Sequence, residues 1–206
     1  MLPNKTKKSQ APAAAWKTGA VIAACALLLA AAGCSPLANT EQPAAAGSSY
    51  ADIVIENYGT VTVALEPEAA PETVSNFISL AESGFYDGLT FHRIVEGFMM
   101  QGGAPKGNRA STITGEFSAN GHNNPLSHTR GTVSMARSDD YNSASSQFFI
   151  VQEDSTYLDG AYAAFGRVTS GMDIVDRICA GAEPIDVNGM IAADAQPVIT
   201  TITIRT

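Results

Sequence analysis

Apolar residues alternate with polar ones in several short runs and recur at helical spacing in two longer ones. Ile53-Val54-Ile55 and Val61 to Leu65 are rich in β-branched residues and are separated by Asn57-Tyr58-Gly59, which predicts a hairpin. Pro71 opens a segment in which Val74, Phe77, Ile78 and Ala81 stand at i, i+3, i+4 and i+7. That spacing predicts a helix with one buried face, with Glu72 in its first turn and Gly84 just past its end. Phe85-Tyr86-Asp87-Gly88 then turns the chain into an extended segment from Phe91. Strict alternation there would put Phe91, Arg93 and Val95 on one face and His92 on the other. Further strands are expected over Thr132 to Met135, Gln147 to Val151, Ala163 to Val168 and Val198 to Ile204, the last with Val198, Thr200, Ile202 and Ile204 on one face. A second amphipathic helix is expected over Gly171 to Cys179, burying Met172, Val175 and Ile178. Ala104 to Asn124 is rich in Gly, Ser and Asn, interrupted only by Ile113 and Phe117, and a loop of that length is commonly functional. Many short strands, two helices and no strand–helix–strand rhythm predict a mainly β fold, an antiparallel barrel or sandwich.

The first 49 residues follow another pattern. Lys5, Lys7, Lys8 and Lys17 precede an apolar run from Val21 to Ala32 that is too short for a comfortable membrane span. The run ends in Ala31-Ala32-Gly33-Cys34, small residues before a cysteine, which resembles a bacterial lipobox with Ala31 where Leu is usual. The expected organisation is a lipoprotein signal peptide over 1–33, a tether over 34–49 and a folded domain over 50–206. Cys34 would be the lipid-modified residue that anchors the chain to the extracytoplasmic face of the cell membrane. An ordinary secretory signal and an uncleaved anchor are the alternatives. Ser35 to Ser49 is rich in Ala, Pro and Ser, and Pro36, Pro43 and Gly47 oppose a helix there.

Composition then narrows the field. Cys25 lies in the apolar run, so Cys179 is the one cysteine of the domain and no internal disulfide is possible. Its place on an apolar helix face reads as a small buried hydrophobe. Loss of the four signal lysines, with no acid, would move the net charge from −8 to about −12. Such a chain does not suit nucleic acid or electrostatic adsorption to anionic lipid.

The chemistry gathers in Phe91-His92-Arg93-Ile94-Val95-Glu96-Gly97-Phe98-Met99-Met100-Gln101-Gly102-Gly103. Arg93 is a permanent cation with a rigid fork of donors, set among apolar residues. It could be a buried ion pair, a snorkelling side chain or a binding group. Phe98, Phe149 and Leu158 could equally be plain core, and His92, His122 and His128 read as structural. Downstream come Ser134-Met135-Ala136-Arg137, Ser146-Gln147-Phe148-Phe149-Ile150-Val151, Tyr157-Leu158-Asp159-Gly160 and Phe165-Gly166-Arg167-Val168. These five blocks, in order and spacing, resemble the cyclophilin family of peptidyl-prolyl cis-trans isomerases over about residues 50 to 206.

The resemblance implies a closed eight-stranded antiparallel β-barrel capped by two α-helices, acting as a monomer on proline-containing polypeptides during the folding of exported proteins. It implies no metal and no cofactor. Arg93 would stabilise the twisted amide, and Gln101 would hold Arg93 and a substrate backbone group. Phe98, Met99, Phe149 and Leu158 would form the proline pocket, while Ala136 and Gln147 would line the groove before it. Tyr157 and Tyr162 would complete the substrate-binding surface, standing where many members have Trp and His respectively. Arg137 also departs from the family, which commonly has Asn there, and the loop from Ala136 to Gln147 is about one residue longer than in well-known eukaryotic members.

Overall fold

A computed structural model describes residues 49–107 and 110–206. The expected signal segment, Cys34 and nearly all of the tether lie outside those residues. The elements in chain order are β1 (Tyr50–Ile55), β2 (Gly59–Leu65), α1 (Pro71–Glu82), β3 (Phe91–Val95), β4 (Met99–Gly102), β5 (Thr132–Met135), β6 (Phe148–Val151), β7 (Ala164–Ser170), α2 (Met172–Ala180) and β8 (Ile199–Arg205). The eight strands form one antiparallel sheet in the order β3-β4-β6-β5-β7-β2-β1-β8.

Local patterns explain most of these elements. The β1–β2 hairpin turns where expected, with Asn57 at φ 64° and Ile55 paired to Gly59. Ala51, Ile53, Ile55, Val61, Val63 and Leu65 all face the core. Pro71 occupies the first turn of α1, and Val74, Phe77 and Ala81 are buried. The Phe77 ring lies 5.1 to 5.5 Å from those of Phe165, Tyr86 and Phe148. At the other end of β2, α2 lies over the β1–β2 turn: Arg177 donates to the Tyr58 carbonyl at 2.9 Å. Ile174, Val175, Ile178 and Cys179 of α2 are buried in the same core. Burial pushes the Cys179 thiol up to about 12.

One helix end depends on a distant residue. The Ala70 side chain makes no capping bond to α1. Instead the buried Glu116, in the long loop, accepts the backbone N–H groups of Glu72 at 3.0 Å and Thr73 at 2.8 Å. A carboxylate at that position satisfies two donors that the helix leaves unpaired and complements its positive end. Ile113 and Phe117, the apolar interruptions of the same loop, are also core residues.

Three expectations are corrected. The sheet is a curled half-barrel, and no ladder joins β3 to β8. The outer edge of β3 is taken by another segment: Ile94 donates to the Gly189 carbonyl at 2.8 Å, and Ile191 donates to that of His92 at 2.9 Å. Only the chain at the entry of β3 reaches the entry of β8, where Phe91 donates to Pro197 and Ile199 to Leu89 around one bridge between Thr90 and Val198. Second, Phe91 does not share a face with Arg93. Phe91 pairs with Gly102 and Arg93 with Gln101, so His92 is an extra residue. This bulge sends Phe91 into the core with Ile94, while Val95 packs against a separate apolar cluster. Third, a bulge at Val54/Ile55 makes Thr200 an extra residue in β8, and the buried positions become Ile199 and Ile202.

Candidate functional site

The sheet has apolar residues on both faces where β3, β4, β5 and β6 adjoin. Met100, Phe148, Ile150 and Val133 point into the main core. Met99, Phe149 and Val151 form a second buried cluster, with Val95, Phe98, Ala136, Leu158 and Tyr162 packed against it. Burial of both faces accounts for the unbroken apolar runs Phe98-Met99-Met100 and Phe148 to Val151, which lack the polar half of an ordinary alternation. The pleat decides which of each adjacent pair reaches the outer cluster.

Arg93 and Gln101 are direct cross-strand partners, and Gln101 in turn pairs with Phe149. One row across three strands thus presents a cation, an amide and an aromatic ring side by side. Glu96 and Gly97 turn β3 back into β4, with Gly97 at φ 75°, where a glycine avoids strain. That turn brings Met99 level with Val95 and lets Phe98 rise beside Arg93, whose guanidinium carbon is 6.0 Å from the Phe98 ring centre.

Hydrogen bonds set the polar side of the site. Arg93 Nε donates to the Asn188 carbonyl at 2.7 Å, and Nη1 donates to Gln101 Oε1 at 3.3 Å. Nη1 also lies 3.8 Å from the Met99 sulfur. Gln101 Nε2 then donates to Gln147 Oε1 at 3.0 Å. The line Arg93–Gln101–Gln147 gives each amide a defined orientation. Among the described residues, Arg93 has no carboxylate partner, and its Nη2 has no protein acceptor.

Arg93, Phe98, Met99, Gln101, Ala136, Phe149, Leu158 and Tyr162 come together around a cleft of about 160 Å³. Gln147 is not among the lining residues and meets them through its hydrogen bond with Gln101. Tyr157 does not line the cleft: it is 72% exposed at the rim, its ring 6.0 Å from that of Phe98. Arg137, which stands where the family's groove commonly has Asn, also lines it. Its guanidinium lies 4.7 Å from the Tyr162 ring centre, 4.9 Å from Tyr141 and 5.2 Å from Phe117, and it donates to the Ala161 carbonyl at 2.9 Å. Those rings come from three separate stretches of chain, so no local signal marks the cage.

The rear of the cleft is supported by His128. Its ring is stacked 6.1 Å from that of Phe149, and its nitrogens meet Asp159 Oδ1 at 2.8 Å and Ser134 Oγ at 3.0 Å. Burial lowers the His128 pKa below the ordinary histidine value, and the Asp159 carboxylate opposes that shift. His128 is 1% exposed, in keeping with a structural role. Among the described residues, no three His, Cys, Asp or Glu side chains converge as metal ligands.

The chain has relatives among known proteins. The family model for cyclophilin type peptidyl-prolyl cis-trans isomerase/CLD matches residues 50–204. The chain is 41% identical over 128 residues to peptidyl-prolyl cis-trans isomerase B of Bacillus subtilis, spanning 62% of this chain and 89% of that protein. It is 40% identical over 139 residues to peptidyl-prolyl cis-trans isomerase A of Dickeya dadantii, spanning 65% and 73%. Among solved structures, a cyclophilin type peptidyl-prolyl cis-trans isomerase of Cryptosporidium parvum superposes with a TM-score of 0.66 at 27% identity, covering 77% of this chain and 98% of that one. The same protein crystallised in the presence of the dipeptide Ala-Pro gives 0.65 at 28% identity, covering 76% and 99%. The family model matched over residues 50–204, relatives at 40 and 41% identity and the shared half-barrel fold place this chain in the cyclophilin-type peptidyl-prolyl cis-trans isomerase family.

Proposed function

We propose that the cleft holds the proline ring of an Xaa-Pro segment and that Arg93 stabilises the amide as it twists. The chain's general activity, peptidyl-prolyl cis-trans isomerisation, follows from its family. Rotation about the bond is slow because amide resonance must be given up, a barrier of roughly 20 kcal/mol. A catalyst must hold the ring, hold the preceding backbone and favour the twisted state over either planar one. It needs no nucleophile. The cleft volume is close to the roughly 150 Å³ that accommodates a benzene ring in an apolar cavity. Phe98, Met99, Phe149 and Leu158 supply its apolar lining. Gln101 and Gln147 present amide groups to the neighbouring peptide backbone.

The observation that carries the reading is Arg93 itself. It is a cation with no carboxylate partner among the described residues, at the edge of an apolar cleft, with donors to spare. Such a group serves the prolyl carbonyl, or the nitrogen as it becomes pyramidal, better in the transition state than in the ground state. Isomerisation of a short Xaa-Pro peptide by the wild type and by Arg93→Ala tests this. Removal of one preorganised donor group is expected to cost about 10² to 10³ in rate, with peptide affinity largely kept. Full activity in a folded Arg93→Ala variant would refute the role. Peptide binding without acceleration by the wild type would favour a peptide-holding chaperone.

The same proposal extends to location. The lysine-rich start, the short apolar run and Ala31-Ala32-Gly33-Cys34 support export and lipid modification at Cys34. The domain would then serve, as a monomer, polypeptides that fold outside the cytoplasm beside the membrane.

A further inference from the structure

The segment from Pro184 to Ile191 contributes no residue to the lining of the cleft, yet it supplies the shortest hydrogen bond to Arg93. The Asn188 carbonyl accepts from Nε at 2.7 Å, against 3.3 Å for the bond from Nη1 to Gln101. A carbonyl is aimed by the backbone that carries it, and here that backbone is a turn built on Asp186. One oxygen of its carboxylate accepts the N–H groups of Asn188 at 2.9 Å and Met190 at 3.0 Å. Its own carbonyl accepts the N–H of Gly189 at 3.2 Å. Ile185 closes the base of the turn by donating to Met190 at 2.7 Å. The turn docks on β3 on both sides of Arg93, through the carbonyl of His92 and the N–H of Ile94. Gly189 permits the approach. It has φ 86°, and a Cβ there would lie 2.5 Å from Val95 Cγ2 and 2.7 Å from the Ile94 carbonyl oxygen.

We propose that Asp186 is a positioning residue for Arg93: by ordering this turn it aims the Asn188 carbonyl at Nε and so holds the remaining donors toward the cleft. The inference rests on the reading of Arg93 given above. An arginine without a carboxylate partner has several rotatable bonds and no ion pair to orient it. Anchoring Nε fixes the plane of the guanidinium. The hydrogen bond from the Met190 N–H, together with that from Asn188, outweighs desolvation and holds the Asp186 carboxyl below its ordinary range, as expected of a carboxylate engaged by backbone donors.

The test uses the full chain with a short Xaa-Pro peptide and three variants. Asp186→Ala is expected to lower kcat by roughly ten- to hundredfold with KM little changed, the scale of a misplaced catalytic group. Asp186→Asn, whose amide oxygen accepts the same N–H groups, should recover most of the rate. In nitrogen-15 spectra the Arg93 Nε–H signal should be sharp in the wild type and broadened by solvent exchange in Asp186→Ala. Unchanged kcat and an unchanged Nε–H signal in Asp186→Ala overturn the proposal. So does a lower unfolding midpoint with kcat intact, since the turn would then only cover the edge of β3. Arg93→Ala separates the two levels: if it retains the rate, the reading of the site falls and the clamp with it. If it loses the rate while Asp186→Ala keeps it, the clamp alone is overturned.

Discussion

Glu116→Ala should unfold the domain far more easily than its position in a long loop suggests. Glu116 is 5% exposed, and its two oxygens accept the N–H groups of Glu72 and Thr73 at 3.0 and 2.8 Å. Losing the acceptor costs the two donors unequally. Thr73 is fully buried, so its N–H stays unpaired and dry, a cost of about 1–3 kcal/mol. Glu72 is exposed, and water replaces most of what its N–H loses. Loss of negative charge at the start of α1 adds about 0.3–1 kcal/mol. The expected total is about 1–4 kcal/mol. For a domain of this size that is a fall of very roughly 3–15 °C in Tm. Glu116→Gln, which keeps one acceptor oxygen and turns an amide N–H toward the other donor, should fall between. Urea unfolding monitored by circular dichroism measures the change as a shift in midpoint at constant slope. A Glu116→Ala domain within about 0.5 kcal/mol of the wild type, the range of ordinary surface changes, would refute the cap as a source of stability.

Two further outcomes are expected. Burial lowers the folded-state pKa of His128, so the unfolded chain binds a proton that the folded chain refuses. The resulting stabilisation is complete above about pH 6.5, the ordinary histidine value, and is lost as pH falls from there through the lower folded value. An imidazole titration by NMR, with urea midpoints at pH 7 and pH 5.5, checks this, and a His128 midpoint at or above 6.5 would contradict it. Cys34→Ser should abolish palmitate labelling and leave the protein unanchored. Labelling unchanged by the substitution would rule out Cys34 as the lipid acceptor.

Much of the fold is legible along the chain because its signals are local. Pro71 and Gly84 bracket α1, and the i, i+3, i+4, i+7 spacing marks its buried face. Asn57-Tyr58-Gly59 marks the first hairpin. The site residues are legible only as blocks. Phe98, Met99 and Phe149 are the same residue types as their core neighbours Met100 and Phe148, and nothing local separates them. Pairing does, since Gln101 stands between Arg93 and Phe149 across three strands.

The mainly β class, the two helices near their observed bounds and the five motif blocks can be read along the chain. Periodicity and end signals report neighbours a few residues apart, and those neighbours are set before the chain folds. The folded arrangement settles the rest. It placed the bulge at His92 that turns Phe91 inward and leaves Arg93 at the cleft. It covered the edge of β3 with the turn at Gly189, so the half-barrel stays open between β3 and β8. It moved Tyr157 to the rim and put Arg137 among three rings. The reason is common to all of these. A bulge is a choice between registers settled by which face finds apolar partners, and a carbonyl such as that of Asn188 is present at every residue. Neither has a letter in the sequence, and both acquire meaning only when distant segments meet.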